Sequence, residues 1–195
     1  MPFTYRQKIL KTFYPVFTFL KKLKGQRKVL SGNGVFPPVS FYSLPVILNS
    51  GSIFDTTTLK GKKILIVNTA SNCGFTNQYA ELQQLYSDPA IKIEIIGFPS
   101  NDFKEQEKAS DEEIATFCSV NFGVSFPLAK KSSVLKSPAQ NPIFQWLSNK
   151  NLNGWNDQQP VWNFSKYLIN EEGILCGYFD PAISPLSEVF LKYII

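Results

Sequence analysis

The sequence predicts an α/β protein whose central mixed β-sheet carries helices on both faces. Two nearly continuous apolar runs, Lys63–Val67 (KILIV) and Ile91–Phe98 (IKIEIIGF), read as strands buried on both sides. Each is followed by a segment with helical spacing of its apolar residues. A later pair of apolar runs is joined by the turn Asn170-Glu171-Glu172-Gly173. Strand–helix–strand–helix, then a hairpin and a last helix, requires parallel and antiparallel pairs in one sheet.

Taken along the chain, Val39–Leu44 (VSFYSL) alternates and is expected as the first strand. Ser52–Asp55 and the Lys60-Gly61-Lys62 turn suggest a short hairpin into Lys63–Val67. In Phe75–Tyr86, Tyr79, Leu82, Leu85 and Tyr86 fall at helical spacing. Asp111–Val120 is the next helix, with Ser110 as N-cap and Glu113 completing a capping box. Asn141–Leu147 is a shorter helix, Trp162–Ile169 and Ile174–Phe179 are the hairpin strands, and Pro185–Tyr193 closes the chain with a helix. There is no internal repeat and no low-complexity stretch.

The 195 residues, 44% hydrophobic and with 17 Phe, suit one domain of about 150 residues plus an appendage. Histidine is absent, which excludes Ser-His-Asp and Cys-His relays, an imidazole base, His-ligated haem and His-dependent zinc sites. Three cysteines alone are too few for an all-cysteine zinc site or an iron–sulfur cluster, so neither metal nor cofactor is expected. That odd, sparse set also argues against a disulfide-stapled secreted scaffold and fits a reducing compartment, the cytoplasm.

Charge divides the chain unevenly. Residues 1–30 hold eight basic side chains and no acidic one, and the first acid is Asp55. The rest carries 12 basic and 15 acidic residues, so the net +5 belongs to the N-terminus and nothing resembles a nucleic-acid stripe. Phe3, Ile9, Leu10, Phe13, Tyr14, Phe17, Leu20 and Leu23 give this segment an amphipathic helical pattern, interrupted at Pro15. Its apolar stretch Phe13–Leu20 falls short of the about 20 residues a bilayer span requires, and no small-residue cleavage site follows it. Three readings stay open: a helix packed on the body, an interfacial helix giving peripheral contact with an anionic membrane, and a targeting extension. The expected division is therefore 1–30 as the basic amphipathic segment, 31–38 as linker and 39–195 as the domain.

Cys73 follows the buried strand directly, in Ser71-Asn72-Cys73-Gly74-Phe75-Thr76, just before a predicted helix. A side chain there meets unpaired backbone N–H groups and the positive end of the helix dipole, and both favour thiolate. With Thr at position 76 there is no C-x-x-C, which disfavours an ordinary dithiol oxidoreductase. The alternative is a buried structural cysteine.

The segment Val67–Thr76 (VNTASNCGFT) resembles the active-site motif of the glutathione peroxidase family in its cysteine form. Gly97–Phe103 (GFPSNDF) with Gln106-Glu107, and Trp162–Leu168 (WNFSKYL), are similar to the family's second and third motifs, in the right order. Ser110–Ile114 and Phe126–Leu128 agree as well, so the resemblance runs from about Val39 to the C-terminal helix. It implies a thioredoxin-like fold and a peroxidase tetrad: Cys73 as the peroxidatic residue, Gln106 and Trp162 hydrogen-bonding its sulfur, and Asn163 completing the set. Neutral donors suit a thiolate that attacks an O–O bond and releases hydroxide or alkoxide. The second motif departs from the family where Ser100, Asp102 and Lys104 replace Cys, Gln and Gly, and Lys108 replaces Pro. Asp102 is expected to point away from the thiolate.

Cys118 lies 45 positions after Cys73 on the helix begun at Asp111. In thioredoxin-dependent members that this chain resembles, a cysteine in this position resolves the sulfenic acid as an intramolecular disulfide; the alternative is packing beside Ile114 and Phe117. Cys176 has no motif role. Both arginines, Arg6 and Arg27, lie in the appendage, so the body has no arginine to clamp the carboxylates of glutathione. Thioredoxin is the expected reductant, peroxides the substrates and a monomer the expected state. The expected function is a thiol peroxidase acting on hydrogen peroxide and organic hydroperoxides. A redox sensor or relay with little turnover, and an inactive thioredoxin-fold binding module, are the alternatives.

Overall fold

The computed structural model describes residues 28–32 and 34–195. Five strands form one sheet in the order β1-β7-β6-β4-β5, with β1 at Val29–Ser31, β4 at Lys63–Thr69, β5 at Ile93–Pro99, β6 at Lys166–Ile169 and β7 at Leu175–Phe179. β4 pairs parallel to β5 and antiparallel to β6, while β6–β7 and β7–β1 are antiparallel. Among the described residues five helices accompany it: α1 (Gln78–Ser87), α2 (Asp111–Phe122), α3 (Pro142–Leu147), α4 (Lys150–Asn153) and α5 (Glu188–Leu191).

The pleat explains why the central runs are apolar throughout. Ile64, Ile66, Ile96 and Phe98 face α3 and Phe41. Leu65, Val67, Ile93 and Ile95 face α1 and α2. Each such side chain, fully buried, contributes roughly 1.5–3 kcal/mol. The parallel β4–β5 pair needs a crossover, which α1 supplies, and the mixed sheet with helices on both faces is the predicted architecture. α2 carries the capping box expected at Ser110 and Glu113, both halves formed, and three acids in its first turn. It ends at Gly123, whose φ of 63° closes the last turn.

Four expectations are corrected. Val39–Leu44 is no strand, because Phe41–Ser43 is a single 3-10 turn that inserts Phe41 against Trp146. The β5 edge of the sheet is not free for it. The outer side of β5 is bridged by Pro127–Ala129 and that of β7 is taken by β1. At the first of these contacts the approach is close at Gly97, where a Cβ would stand 2.7 Å from Leu128 Cδ2 and would displace that side chain. The hairpin from Ser52–Asp55 into β4 does not form either, because β4 already has a neighbour on each side. Ile53–Phe54 (β3) instead pairs back with Val46–Ile47 (β2). The linker expected over 31–38 begins inside β1, so the sheet starts ahead of the domain boundary expected at 39. Finally, Trp162–Ser165 is a turn rather than the first half of a strand, with β6 starting only at Lys166.

The amphipathic pattern expected in the first 30 residues lies, up to Arg27, outside the described residues. Among the described residues no helix is long and apolar enough to cross a membrane.

Candidate active site

β4 ends at Thr69 and the chain turns through Ala70–Asn77 before α1 begins. The turn is built from successive three-residue bonds: Thr76 N–H donates to Cys73 O, Gln78 N–H to Phe75 O, and Tyr79 N–H to Thr76 O. Cys73 sits half-buried in it, its sulfur accepting from Phe75 N–H at 3.5 Å. Its own N–H donates to Thr76 Oγ1 at 3.0 Å, and that hydroxyl donates to Ala70 O at 3.0 Å. Thr76 thus ties both ends of the loop that presents the thiol. The Thr76, Gln78 and Tyr79 N–H groups are taken up within the turn, which leaves Phe75 N–H as the backbone donor on the sulfur.

The second motif closes over this loop. Asn72 N–H donates to Gln106 O at 3.1 Å. Glu107, only 1% exposed, accepts from both Ser71 N–H (2.7 Å) and Ser71 Oγ (2.9 Å). Burial pushes the Glu107 carboxyl up from its ordinary value, while the two bonds from Ser71 and the charge of Lys131 pull it back. Sequence reading quoted Glu107 in the motif but gave it no role. Its signal was a carboxylate among residues that must approach a buried strand end, which spacing alone does not reveal.

Asn163 is fully buried and donates through Nδ2 to Gln106 Oε1 at 3.0 Å. With that oxygen occupied, the Gln106 amide keeps its NH2 group as the free end. Trp162 is half-buried, its ring 5.4 Å from that of Phe103, with the Lys104 ammonium 5.6 Å from the ring centroid. The Trp162–Asn163 pair is held by Asn68, whose Nδ2 donates to Trp162 O at 3.1 Å. Of the four residues named by the resemblance, Gln106 and Asn163 are in direct contact, and Cys73 joins them through Asn72. Among the described residues the hydrogen bond to the sulfur comes from Phe75 N–H; neither Gln106 nor Trp162 donates to it.

Asp102 points away, as expected. Its carboxylate accepts from Ser133 Oγ, Val134 N–H and Leu135 N–H, at 3.1, 2.6 and 3.1 Å, and pins the loop 133–135. Lys104 and Glu105 both adopt left-handed backbone, with φ of 52° and 53°. Where the family carries Gly at the first of these, this chain accepts a conformation that costs roughly 1–2 kcal/mol for a residue with a Cβ.

Cys118 is remote in kind. It is fully buried on the inner face of α2 among Leu65, Val67 and Tyr79. Burial, with Glu107 adding and the Tyr79 hydroxyl opposing, pushes its thiol up to about 11. Cys176 is likewise pushed up to about 11 by burial, and its thiol donates to Leu168 O. No group of three or more Cys, Asp or Glu side chains among the described residues is placed to hold a metal ion. The arrangement can therefore do thiol chemistry, with the half-buried Cys73 sulfur bonded to a backbone donor and the Cys118 sulfur sealed on the inner face of α2.

Comparison with known proteins agrees. The glutathione peroxidase family model matches residues 41–148, a span holding Cys73, Gln106 and Cys118. The chain is 40% identical over 148 residues to the glutathione peroxidase-like peroxiredoxin HYR1 of Saccharomyces cerevisiae, covering 75% of this chain and 90% of that protein. It is 44% identical over 147 residues to the glutathione peroxidase-like peroxiredoxin gpx1 of Schizosaccharomyces pombe, covering 74% and 91%. Among solved structures, Trgpx in its apo form superimposes with a TM-score of 0.59 at 30% identity, over 80% of this chain and 95% of that one.

Proposed function

The chain belongs to the glutathione peroxidase family, and on that premise we propose that it reduces hydrogen peroxide and organic hydroperoxides through a thiol cycle starting at Cys73. The carrying observation is the half-buried Cys73 sulfur, held in the β4–α1 turn whose Asn72 N–H is bonded to Gln106 of the Gln106–Asn163 pair. In the first step the Cys73 thiolate attacks one peroxide oxygen. The S–O bond forms, the O–O bond breaks, and the departing oxygen takes a proton and leaves as water or alcohol. Sulfur is oxidised by two electrons and the peroxide is reduced. Phe75 N–H and the free Gln106 NH2, with the Trp162 indole N–H and Asn163 behind them, are the neutral donors for the negative charge that moves from sulfur to oxygen.

In the second step the Cys118 thiolate attacks the sulfenic sulfur of Cys73, water leaves, and a Cys73–Cys118 disulfide forms. A thioredoxin-type dithiol protein then reduces it. The body has no arginine, which weakens glutathione as donor. No prosthetic group takes part, and the protein acts as a monomer. The peroxidase unit comprises the sheet and its helices. The basic segment that precedes β1 extends it in the cytoplasm and gives a peripheral hold on anionic membrane, which salt-sensitive binding to phosphatidylserine vesicles would report.

Complete burial of Cys118 favours one second reading, a sensor or relay in which oxidised Cys73 passes its disulfide to another protein. Peroxide-driven NADPH consumption through thioredoxin and its reductase separates the two. Steady turnover that vanishes in Cys73→Ser is expected, and no consumption above that control would sink the enzyme reading. Non-reducing peptide mapping after one equivalent of peroxide is expected to recover a Cys73–Cys118 linkage. Persistent sulfenic acid on Cys73 alone would leave Cys118 as packing.

A further inference from the structure

Lys166 is an amine side chain with no exposure at all, and burial pulls its pKa down to about 7. It opens β6, paired with Val67 of β4 and Phe179 of β7, and shares the sheet face of Leu168, the side covered by α1 and α2. An ammonium is expensive to withdraw from water unless its donors are taken up. Here Nζ donates to Phe164 O at 2.8 Å and reaches Pro181 O at 3.5 Å, and Gln78 Nε2 from the start of α1 donates to the same Pro181 carbonyl at 2.7 Å. Glu81 on α1 and Asp180 beyond β7 are the charged groups facing it.

What the lysine holds is the strained point of the third motif. Phe164 has a φ of 69°, a genuine outlier for a bulky residue. Such a conformation persists only where its surroundings over-determine it. Phe164 is fixed on three sides: N–H to Asn68 O at 2.6 Å, ring against the Tyr79 ring at 5.4 Å, and carbonyl to Lys166. This reversal immediately follows Trp162 and Asn163 and sets the direction in which Asn163 meets Gln106. A relaxed Phe164 would draw the Trp162 ring off Phe103 and the Asn163 amide off Gln106, both in the second motif.

We propose that Lys166 is a positioning residue for peroxide reduction, holding the Phe164 carbonyl so that the left-handed turn keeps Trp162 and Asn163 against the second motif. This rests on the peroxidase reading above. The residue touches no reacting atom and acts through the turn.

Lys166→Met tests it, keeping the length and apolar stem while removing the donors. Two single-turnover rates at Cys73 are compared, with hydrogen peroxide and with iodoacetamide, at a temperature where circular dichroism shows the variant fully folded. The peroxide rate is expected to fall by about tenfold or more, the scale of a slightly misplaced donor, with alkylation held within about twofold. Lys166→Arg, which retains the donors, is expected to recover part of the peroxide rate. A peroxide rate within about twofold of the unaltered protein, or one slowed in step with alkylation, would overturn the role, since loss of general structure moves both reactions together. If the Met variant does not fold, Lys166→Gln is read by the same pair of rates. No Cys73-dependent peroxide reaction in the unaltered protein would instead overturn the peroxidase reading itself.

Discussion

Cys73 and Cys118 are the same chemical group in two opposite settings. Cys73 sits half-exposed in an irregular turn, its sulfur touched by a peptide N–H. Cys118 is sealed inside a regular helix with its thiol pushed up to about 11. Cys118 also takes part in closing that helix, because Val124 N–H returns to its carbonyl at 3.2 Å past the left-handed Gly123. The contrast assigns different costs to the two proposed steps. Attack on peroxide starts from a half-buried sulfur, whereas the proposed disulfide step must first free the fully buried Cys118 thiol, and the C-terminal end of α2 is where that opening is expected. Opening such an end is a local event, far cheaper than unfolding the sheet.

Removing the second thiol gives the largest expected effect. Cys118→Ser should leave the first oxidation of Cys73 near its normal rate and lower thioredoxin-linked turnover by roughly tenfold or more, because the sulfenic acid must wait for an outside thiol. Stopped-flow oxidation alongside steady-state NADPH consumption checks both halves. Equal loss in the two assays would mean that Cys118 serves the attack site as well.

A smaller effect is expected from loosening the helix end. Gly123→Ala places a Cβ on a residue with φ of 63°, at a cost of about 1 kcal/mol. That cost raises the population with the end open, so the disulfide should close up to about fivefold faster after a peroxide pulse. An unchanged or slower closure would place the opening elsewhere in α2.

The finest distinction lies in pH. Attack by Cys118 requires its thiolate, so the closure rate climbs with pH until that thiol is ionised and then levels. If the helix opens first, the exposed thiol ionises like a free one and the rate levels near about 8.5. A climb continuing toward about 11 would mean attack from the folded helix, where burial holds the thiol up.

Reading the chain succeeded where neighbours in sequence decide the outcome. Apolar runs marked β4 and β5, and the Ser110–Glu113 box marked the start of α2 to the residue. It failed at Val39–Leu44, whose alternation describes a strand but whose fate hung on an edge occupied by residues 127–129. The third motif was legible as a resemblance and misread as a strand, because nothing in Trp162–Ser165 announces a Phe with positive φ. Glu107 and Lys166 passed without a role for a related reason. A Glu beside a Gln and a Lys in a strand are ordinary solvated residues until their surroundings close over them.

By itself, then, the sequence determined the layered α/β architecture, the capped start of α2, a cysteine in a strand-to-helix turn, and the family. Those depend on periodicity, capping and motif order, all of them local along the chain. Only the tertiary structure decided which sheet edges were free, that Phe164 turns left-handed against Asn68, and that Ser71 is clamped by Glu107. It alone, too, placed the Lys166 amine on the Phe164 and Pro181 carbonyls in the protein interior. The physical reason is desolvation. Whether a strained backbone or a buried charge is tolerable depends on donors and acceptors brought together from distant segments, and no window of sequence contains them.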